Sequence, residues 1–337
     1  MVDLSIIVPV YNATETIRRC VDSILTSDTY RDGAAEVILV NDGSSDGSAA
    51  ICAGYAAAHS HVIAIDAENG GASAARNRGL AAASGTFVAF VDSDDKVSAD
   101  YHSTGLAALH EHENADLVIT GFTAFSPAGT PRVVEPDMEL IDSGALPGRL
   151  VRLANRGLVN SVCNKLYRRS VIEQSGIRFE EGRKSAEDLL FNLDYAAVTR
   201  SSVVVPTTGA HFIARRSSAT HRLAGAHDEL HELDTSLAYR DDLRRRFADL
   251  GVPNADIDAY FLAKDQTWFR IMVRNVQAAG TPYSLREQIY QVRRIMDFGE
   301  ARENITRGQG DSRLAKVNRI LYRLDSAPLT WLVHRII

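Results

Sequence analysis

The chain has 337 residues, 45% of them hydrophobic and 24% charged. At roughly 100–200 residues per domain this is one large domain or two, and the composition excludes a disordered chain, a collagen and a disulfide scaffold. Thirty-seven Lys+Arg against 43 Asp+Glu leave a net charge of −6, the wrong sign for a generic nucleic-acid binder, so no nucleic-acid partner is expected.

Leu4–Val10 is a continuous, mostly branched apolar run and predicts a strand buried on both faces. Thr14–Leu25 follows as a helix with Ile17, Val21, Ile24 and Leu25 on one face and Thr14 as N-cap. Strands are then predicted at Glu36–Val40, His61–Ile65, Thr86–Val91 and Asp116–Thr120, and helices at Ser45–Ala58, Ala72–Ala83 and Ser98–His112. Strands alternating with helices mean βαβ units and a mainly parallel sheet, an α/β fold of Rossmann-like type. From Phe122 the rhythm loosens, and Pro127, Gly129, Pro131 and Pro136 mark loops around a hairpin near Arg132–Glu135. Leu146–Asn155, Arg169–Gln174 and Glu187–Val198 read as helices, and Ser202–Val205 and His211–Ala214 as two short strands. After Ala226 the pattern is helical to the end, so a domain boundary is expected near 225, separating 1–225 from 226–337.

Cys20, Cys52 and Cys163 are sparse, odd in number and without a CxxC pair, which fits buried thiols in a reducing compartment. The N-terminus lacks a basic region ahead of its apolar run, which Asp3 and Pro9 interrupt, so no signal peptide is expected. No apolar stretch reaches the about 18 residues of a membrane span. A cytoplasmic protein is the expectation.

Polar groups gather where predicted strands end. Strand one ends in Pro9-Val10-Tyr11-Asn12, strand two in Asn41-Asp42-Gly43-Ser44-Ser45-Asp46-Gly47, and strand four in Asp92-Ser93-Asp94-Asp95. Ligands of open α/β sheets bind outside those carboxyl ends. Three carboxylates within four residues repel one another, and Mg²⁺ or Mn²⁺ held with substrate phosphates would relieve that; a solvated turn with Ser98 capping the next helix is the plainer alternative. Asp42 could accept from a base N–H beside the ring face of Tyr11, or could form an Asx turn that starts the helix near Asp46. The run from Asn69 to Gly79 opens with glycines that admit a ligand to the backbone at a helix N-terminus, which favours an anion. Arg76 in that run could serve a nucleotide or could be a surface arginine on an Ala-rich helix. Glu187 and Asp188 read by themselves as ordinary first-turn helix acids. His227 and His231 flank an acid in the wrong order for a zinc helix and read as a surface helix.

With these pieces in order, the sequence resembles the family-two inverting glycosyltransferases of GT-A fold, of bacterial cell-envelope or polysaccharide type. The resemblance rests on Ser5-Ile6-Ile7-Val8-Pro9-Val10-Tyr11-Asn12, Val40-Asn41-Asp42-Gly43-Ser44-Ser45-Asp46-Gly47, Asn69-Gly70-Gly71 through Arg76-Asn77-Arg78-Gly79, and Phe90-Val91-Asp92-Ser93-Asp94-Asp95. Asn164-Lys165-Leu166-Tyr167-Arg168-Arg169 and Glu187-Asp188-Leu189-Leu190-Phe191-Asn192 complete it. It spans about residues 4–220 and leaves the tail uncovered.

The resemblance implies a UDP-sugar donor, a Mn²⁺ or Mg²⁺ cofactor, and a glycan, polymer or lipid-linked acceptor. Pro9, Tyr11 and Asp42 would line the nucleobase pocket with Asn12 beside them. Asn69 and Arg76 would fix the nucleotide, and Asp92 with Ser93 would meet the ribose region. Asp94 would hold the metal, with Asp95 as its substitute, and Asp188 would be the catalytic base. Arg215 and Arg216 would face the diphosphate, although that stretch lacks the usual aromatic spelling. Two rivals are weaker. A sugar nucleotidyltransferase needs an N-terminal phosphate loop that is missing here, and a non-catalytic nucleotide-sugar or glycan-binding relative has no need of Asp92, Asp94 and Asp188 together.

The tail is basic, ten Lys/Arg against six Asp/Glu over residues 281–337. Leu314, Val317, Leu321 and Leu324 form one stripe with Arg313, Lys316, Arg319 and Arg323 off it, and an aromatic-aliphatic end follows from Leu329 through Trp331. Residues 311–337 could therefore contact an anionic membrane as a peripheral anchor, or pack on the protein itself or on a second copy.

Overall fold

In the computed structural model, residues 2–126, 129–142, 144–183, 186–214, 233–277, 284–298, 302, 305–306 and 313–336 are described. The chain divides into two units, Met1–Ala214 and Arg215–Ile337. The boundary expected near 225 falls outside the described residues.

The first unit is built on a ten-stranded mixed sheet. Strands β1 (Leu4–Val10), β2 (Ala35–Asp42), β3 (Val62–Ala67) and β4 (Phe87–Phe90) are parallel, in the order β3-β2-β1-β4. Their crossovers run through α1 (Ile17–Leu25), α2 (Asp28–Arg31), α3 (Ser48–Ala58) and α4 (Gly71–Ala82). After β4 come β5 (Lys96–Val97), α5 (Tyr101–Glu111), β6 (Leu117–Phe125), β7 (Arg132–Val134), β8 (Glu139–Asp142) and α6 (Leu146–Asn155). The unit closes with β9 (Lys165–Arg168), α7 (Arg169–Ser175), α8 (Glu187–Ala196) and β10 (Ser201–Ile213). β9 lies antiparallel between β4 and β6, β10 runs parallel to β6, and β5 and β8 pair antiparallel with β10. β7 pairs antiparallel with β6 and forms the expected hairpin.

Central strands are apolar because both faces are covered. Leu4, Ile6, Ile7, Val8 and Val10 of β1 have no exposed surface. Pro9 is tolerated because β4 pairs β1 only as far as Ile7, so this proline, which has no N–H, lies beyond that ladder. Glu36 is buried in β2, where its Oε1 accepts from Ser5 Oγ at 2.6 Å, Ser84 N at 2.7 Å and Ser84 Oγ at 2.9 Å. Buried Asp116 ties β6 to the start of β10 and the end of β9 through Arg200 and Arg168.

Helix α4 lies close on β1 because Gly79 leaves room for Ile7; a Cβ there would stand 2.4 Å from Ile7 Cγ2. Ile7 is fully buried and has nowhere to go. Gly79→Ala gains about 1 kcal/mol of helix propensity, against about 1–3 kcal/mol for overpacking. A net loss of stability is expected in urea unfolding, and an equally stable variant would show that α4 is free to move off the sheet.

Three short strands, β5, β8 and β9, escape the sequence pattern. The two strands expected at Ser202–Val205 and His211–Ala214 are one, because β10 continues through a register shift between Val205 and Ala210. The helix expected from Thr14 begins at Ile17, since the Thr14 N–H is drawn 3.1 Å from Asp46 Oδ2 in the facing loop.

The second unit is helical, with α9 (Leu233–Asp249), α10 (Asn254–Val276), α11 (Leu285–Asp297), α12 (Arg313–Leu324) and α13 (Ala327–Ile336). Phe269, Met272, Val273, Val292, Ile295, Met296 and Tyr322 form its core, with Trp331 packed against it. A buried ion pair joins Arg240 to Asp265 at 2.5 Å, with the guanidinium over the rings of Phe261, Trp268 and Phe298. The expected tail stripe is turned. Among the described side chains of α12, Asn318, Leu321 and Tyr322 are the buried positions and Leu324 is 58% exposed, while nothing is described of the Leu314 side chain. Trp331 does not face outward but donates its indole N–H to Gln288 Oε1 at 3.0 Å.

Candidate active site

β1, β2 and β4 run the same way, so their carboxyl ends share one edge of the sheet. That edge gathers the polar residues marked by sequence into two groups, bridged by α4.

The first group surrounds Asp42, the last residue of β2, whose side chain is 3% exposed. Its Oδ1 accepts from Gly70 N at 2.9 Å and Arg78 Nη1 at 3.1 Å, and its Oδ2 from Gly71 N at 2.8 Å. Asn69 Nδ2 donates to the Asp42 carbonyl at 3.0 Å. The helix N-terminus expected to receive a ligand anion therefore receives the protein's own carboxylate, and Asp42 caps α4 rather than starting the helix near Asp46. Oδ1 thus already accepts two N–H groups, and Oδ2, with one, retains acceptor capacity for a further N–H. Tyr11 is 53% exposed beside it, and Pro9 is half-buried. Asn12 has a left-handed backbone, φ 47°. Its Oδ1 accepts from Ser45 N at 2.9 Å, and its own N–H donates to Ser44 Oγ at 3.0 Å. It braces the β1 loop against the β2 loop.

The second group is centred on Arg76. It is not the surface arginine that an Ala-rich helix allows, for its side chain is only 4% exposed. Nη2 meets Asp92 Oδ1 at 2.9 Å, while Nη1 faces Asp188 Oδ1 at 3.0 Å and Glu187 Oε1 at 3.6 Å. Its guanidinium lies 5.3 Å from the centre of the Phe179 ring. The Arg76–Asp188 approach is a charge pair rather than an aligned hydrogen bond. Burial alone would lower the Arg76 pKa, but Asp188 and then Asp92 more than offset that and raise it. Asp188 Oδ2 accepts from Val162 N at 3.2 Å. Asp188 stands raised to about 6, chiefly by burial, with Arg76 pulling it down and Glu187 and Asp92 adding to the rise.

Ser93 and Asp94 are half-buried in the β4–β5 turn, and Arg19 Nη2 donates to the Asp94 carbonyl at 2.5 Å. Asp95 turns inward, buried, its Oδ1 accepting from Ile213 N at 2.7 Å. Among the described residues no three acids, histidines or cysteines are grouped closely enough to chelate a cation alone. A hard dication that takes one or two carboxylates and completes its shell with phosphate oxygens and water fits such a donor set. Half-buried Asp94 suits that role better than inward Asp95. Arg215, Arg216 and the His227–His231 segment lie outside the described residues.

Phe179 lies outside every sequence motif, and Asn77, Lys165 and Asn192, though inside them, are given no role there. Phe179, stacked on Phe191 at 4.1 Å, forms the floor beneath Arg76 and is held by Asn77, whose Oδ1 accepts from Phe179 N and whose Nδ2 donates to Phe179 O. Buried Lys165 donates to Leu158 O at 2.7 Å, Ser161 O at 2.5 Å and Asn164 Oδ1 at 2.9 Å. Asn192 Nδ2 donates to Val159 O and Ser161 O. These bonds shape the loop that presents the Val162 N–H to Asp188. Desolvation lowers Lys165 to about 7, with Asp188 acting in the opposite sense.

This mixed α/β sheet, flanked by helices and with its site at the carboxyl edge, has the GT-A fold, as its likeness to a solved glycosyltransferase shows. Residues 5–176 match the model of glycosyl transferase family 2, and the chain belongs to that family. It is 34% identical over 208 residues to the uncharacterized glycosyltransferase YibD of Escherichia coli, covering 59% of this chain and 60% of that protein. It is 37% identical over 193 residues to the uncharacterized glycosyltransferase EpsJ of Bacillus subtilis, covering 56% and 55%. The chain thus spans little more than half the length of these relatives. The crystal structure of Staphylococcus aureus TarS 1–349 in complex with UDP-GlcNAc shares the fold, with a TM-score of 0.62, 22% identity, and coverage of 99% of this chain and 90% of that one. TarS is a poly(ribitol-phosphate) beta-N-acetylglucosaminyltransferase, 27% identical over 226 residues, which cover 66% of this chain and 37% of TarS.

Proposed function

We propose that the protein is a metal-dependent inverting glycosyltransferase that moves a sugar from a UDP-sugar to a hydroxyl of a saccharide, polymer or lipid-linked acceptor. The observation that carries this is the meeting of Asp188 with Arg76 and Asp92 at the carboxyl edge of the sheet. Family membership supports the reaction class, and the UDP-GlcNAc complex and polymer acceptor named for TarS support the donor and acceptor classes. Tyr11 would stack on the base and Asp42 would accept a base N–H. Mn²⁺ or Mg²⁺ on Asp94 would neutralise charge on the leaving diphosphate. Asp188 would take the acceptor's proton on Oδ2, since Oδ1 is sealed against Arg76. Attack from the face opposite the leaving group inverts the anomeric carbon.

The test is UDP release from a panel of UDP-sugars with Mn²⁺ or with chelator. Metal-dependent release from one donor is the expected result. A UDP-induced melting shift without turnover of any donor, with or without saccharide acceptors, would instead support a binding-only relative.

The second unit has an exposed apolar surface of its own. Ile320, Leu324, Leu329 and Leu332 are exposed on the last two helices, and Lys316 and Arg323 are exposed beside the first two. No helix among the described residues is long and apolar enough to cross a membrane. A peripheral contact with the anionic inner face of a cell membrane suits this chemistry. Ile320→Asp/Leu324→Asp is expected to abolish co-sedimentation with phosphatidylglycerol vesicles; a concentration-dependent dimer lost in that variant, with no vesicle binding in the parent, would assign the surface to a second copy.

A further inference from the structure

Arg76 is named by sequence as a nucleotide contact, yet the structure leaves it almost no surface to offer a nucleotide. Its Nε and Nη1 are buried and without hydrogen-bond partners, and its reach ends on Asp92, on Asp188 and, farther off, on Glu187. Asp92 comes from the end of β4 and Asp188 from the first turn of α8. α8 begins at Ala186, which adopts a left-handed backbone, φ 61°, and offers no side-chain cap. Among the described residues, Asp188 is held by Arg76 on Oδ1 and by the Val162 N–H on Oδ2. The Phe179 ring under the guanidinium and the Asn77 bonds under Phe179 keep Arg76 from swinging away.

We propose that Arg76 is a positioning residue: its buried guanidinium clamps the base Asp188 to the donor-side carboxylate Asp92, seals Oδ1, and leaves Oδ2 aimed for the acceptor hydroxyl, without touching the nucleotide. This rests on reading Asp188 as the base. A planar fork joins two carboxylates in a fixed geometry that a lysine ammonium cannot reproduce. The other charged or titratable groups near Asp188 are Glu187 and Asp92, with Cys163, Lys165 and Tyr167 behind it.

The experiment compares Arg76→Lys, Arg76→Met and Asp188→Asn in the full chain. In Arg76→Lys, UDP affinity is expected within about threefold of the parent while kcat falls at least about tenfold, the equivalent of 1.4 kcal/mol, and the acidic limb of the pH–rate profile moves upward as the base loses its clamp. A merely structural arginine would move neither kcat at saturating donor nor that limb. A fall in UDP affinity of tenfold or more with kcat retained would make Arg76 a nucleotide contact and overturn the proposal. Arg76→Met strands two carboxylates and is expected to lower Tm, and adding Asp188→Asn should recover part of that loss; additive losses would count against the clamp. Should Arg76→Met fail to fold, the Arg76→Lys kinetics decide. Transfer retained by Asp188→Asn alone would remove the base assignment itself, whereas an inactive Asp188→Asn beside an unperturbed Arg76→Lys would remove only the clamp.

Discussion

Asp188→Asn should lower sugar transfer by about 10²–10⁴-fold, the span of a lost general base, and leave UDP binding near that of the parent. The amide keeps the shape of the side chain and can still accept the Val162 N–H, but it cannot take a proton from a hydroxyl. Pro9, Tyr11 and Asp42, the proposed nucleobase pocket, make no hydrogen bond or ion pair with it. On the same proposal, the pH profile of the parent protein follows from this carboxylate. Its pKa is raised to about 6 because burial outweighs the pull of Arg76, and in the proposed mechanism the working form is the unprotonated one. kcat/KM is therefore expected to fall about tenfold per pH unit below 6 and to level off above it.

Stability moves with the opposite sense. A native carboxyl pKa above the unfolded value means that the native state holds the proton more tightly, so its contribution is present below the unfolded pKa and lost as pH rises through about 6. At pH 7.5 Asp188→Asn should thus melt no lower than the parent. Loss of UDP binding together with transfer, or a fall in Tm at that pH, would make Asp188 a structural residue.

The N-terminal half was legible because each of its signals is local. β1 is written as an unbroken apolar run, and α6 was bounded to the residue because its apolar spacing and Pro147 lie within ten positions. The polar groups at three strand ends pointed to the site edge before any geometry. What stayed hidden depends on distant partners. β9 is four residues, Lys-Leu-Tyr-Arg, and becomes a central strand only because β4 and β6 flank it. Asp42 offered a base contact or a local turn, and the structure adds a third role, a cap for a helix that starts 29 residues later. Arg76 read as a surface residue or a ligand contact because nothing within α4 announces Asp188, which lies over a hundred positions away. The turn of the tail stripe has the same origin, since Tyr322 and Asn318 find their partners in α10 and α13, through the Phe269 ring and the His334 imidazole.

Asp94→Asn should abolish the Mn²⁺ dependence of UDP binding, whereas Asp95→Asn should preserve it. Adjacent acids with one spelling are separated here by direction. Asp94 is half-buried in the turn, and Asp95 points inward, where Oδ1 accepts the Ile213 N–H and ties the turn to the end of β10. An asparagine at 95 can keep that bond through its own carbonyl oxygen, so its effect on both stability and cation response should be small. An asparagine at 94 removes anionic charge where the diphosphate is proposed to lie. Because the described acids form no cluster able to hold a cation unaided, binding of the ion and of UDP should be mutually dependent, each strengthening the other by the same factor. UDP titrations with Mn²⁺ and with chelator measure that factor directly. In the parent and in Asp95→Asn it is expected to be at least about tenfold, the lower end of what a lost supporting group costs at metal sites, and in Asp94→Asn to approach one. The reverse pattern would put the ion on Asp95 and require the turn to open away from Ile213. A factor near one in all three proteins would mean that UDP is held by the pocket around Asp42 without a cation.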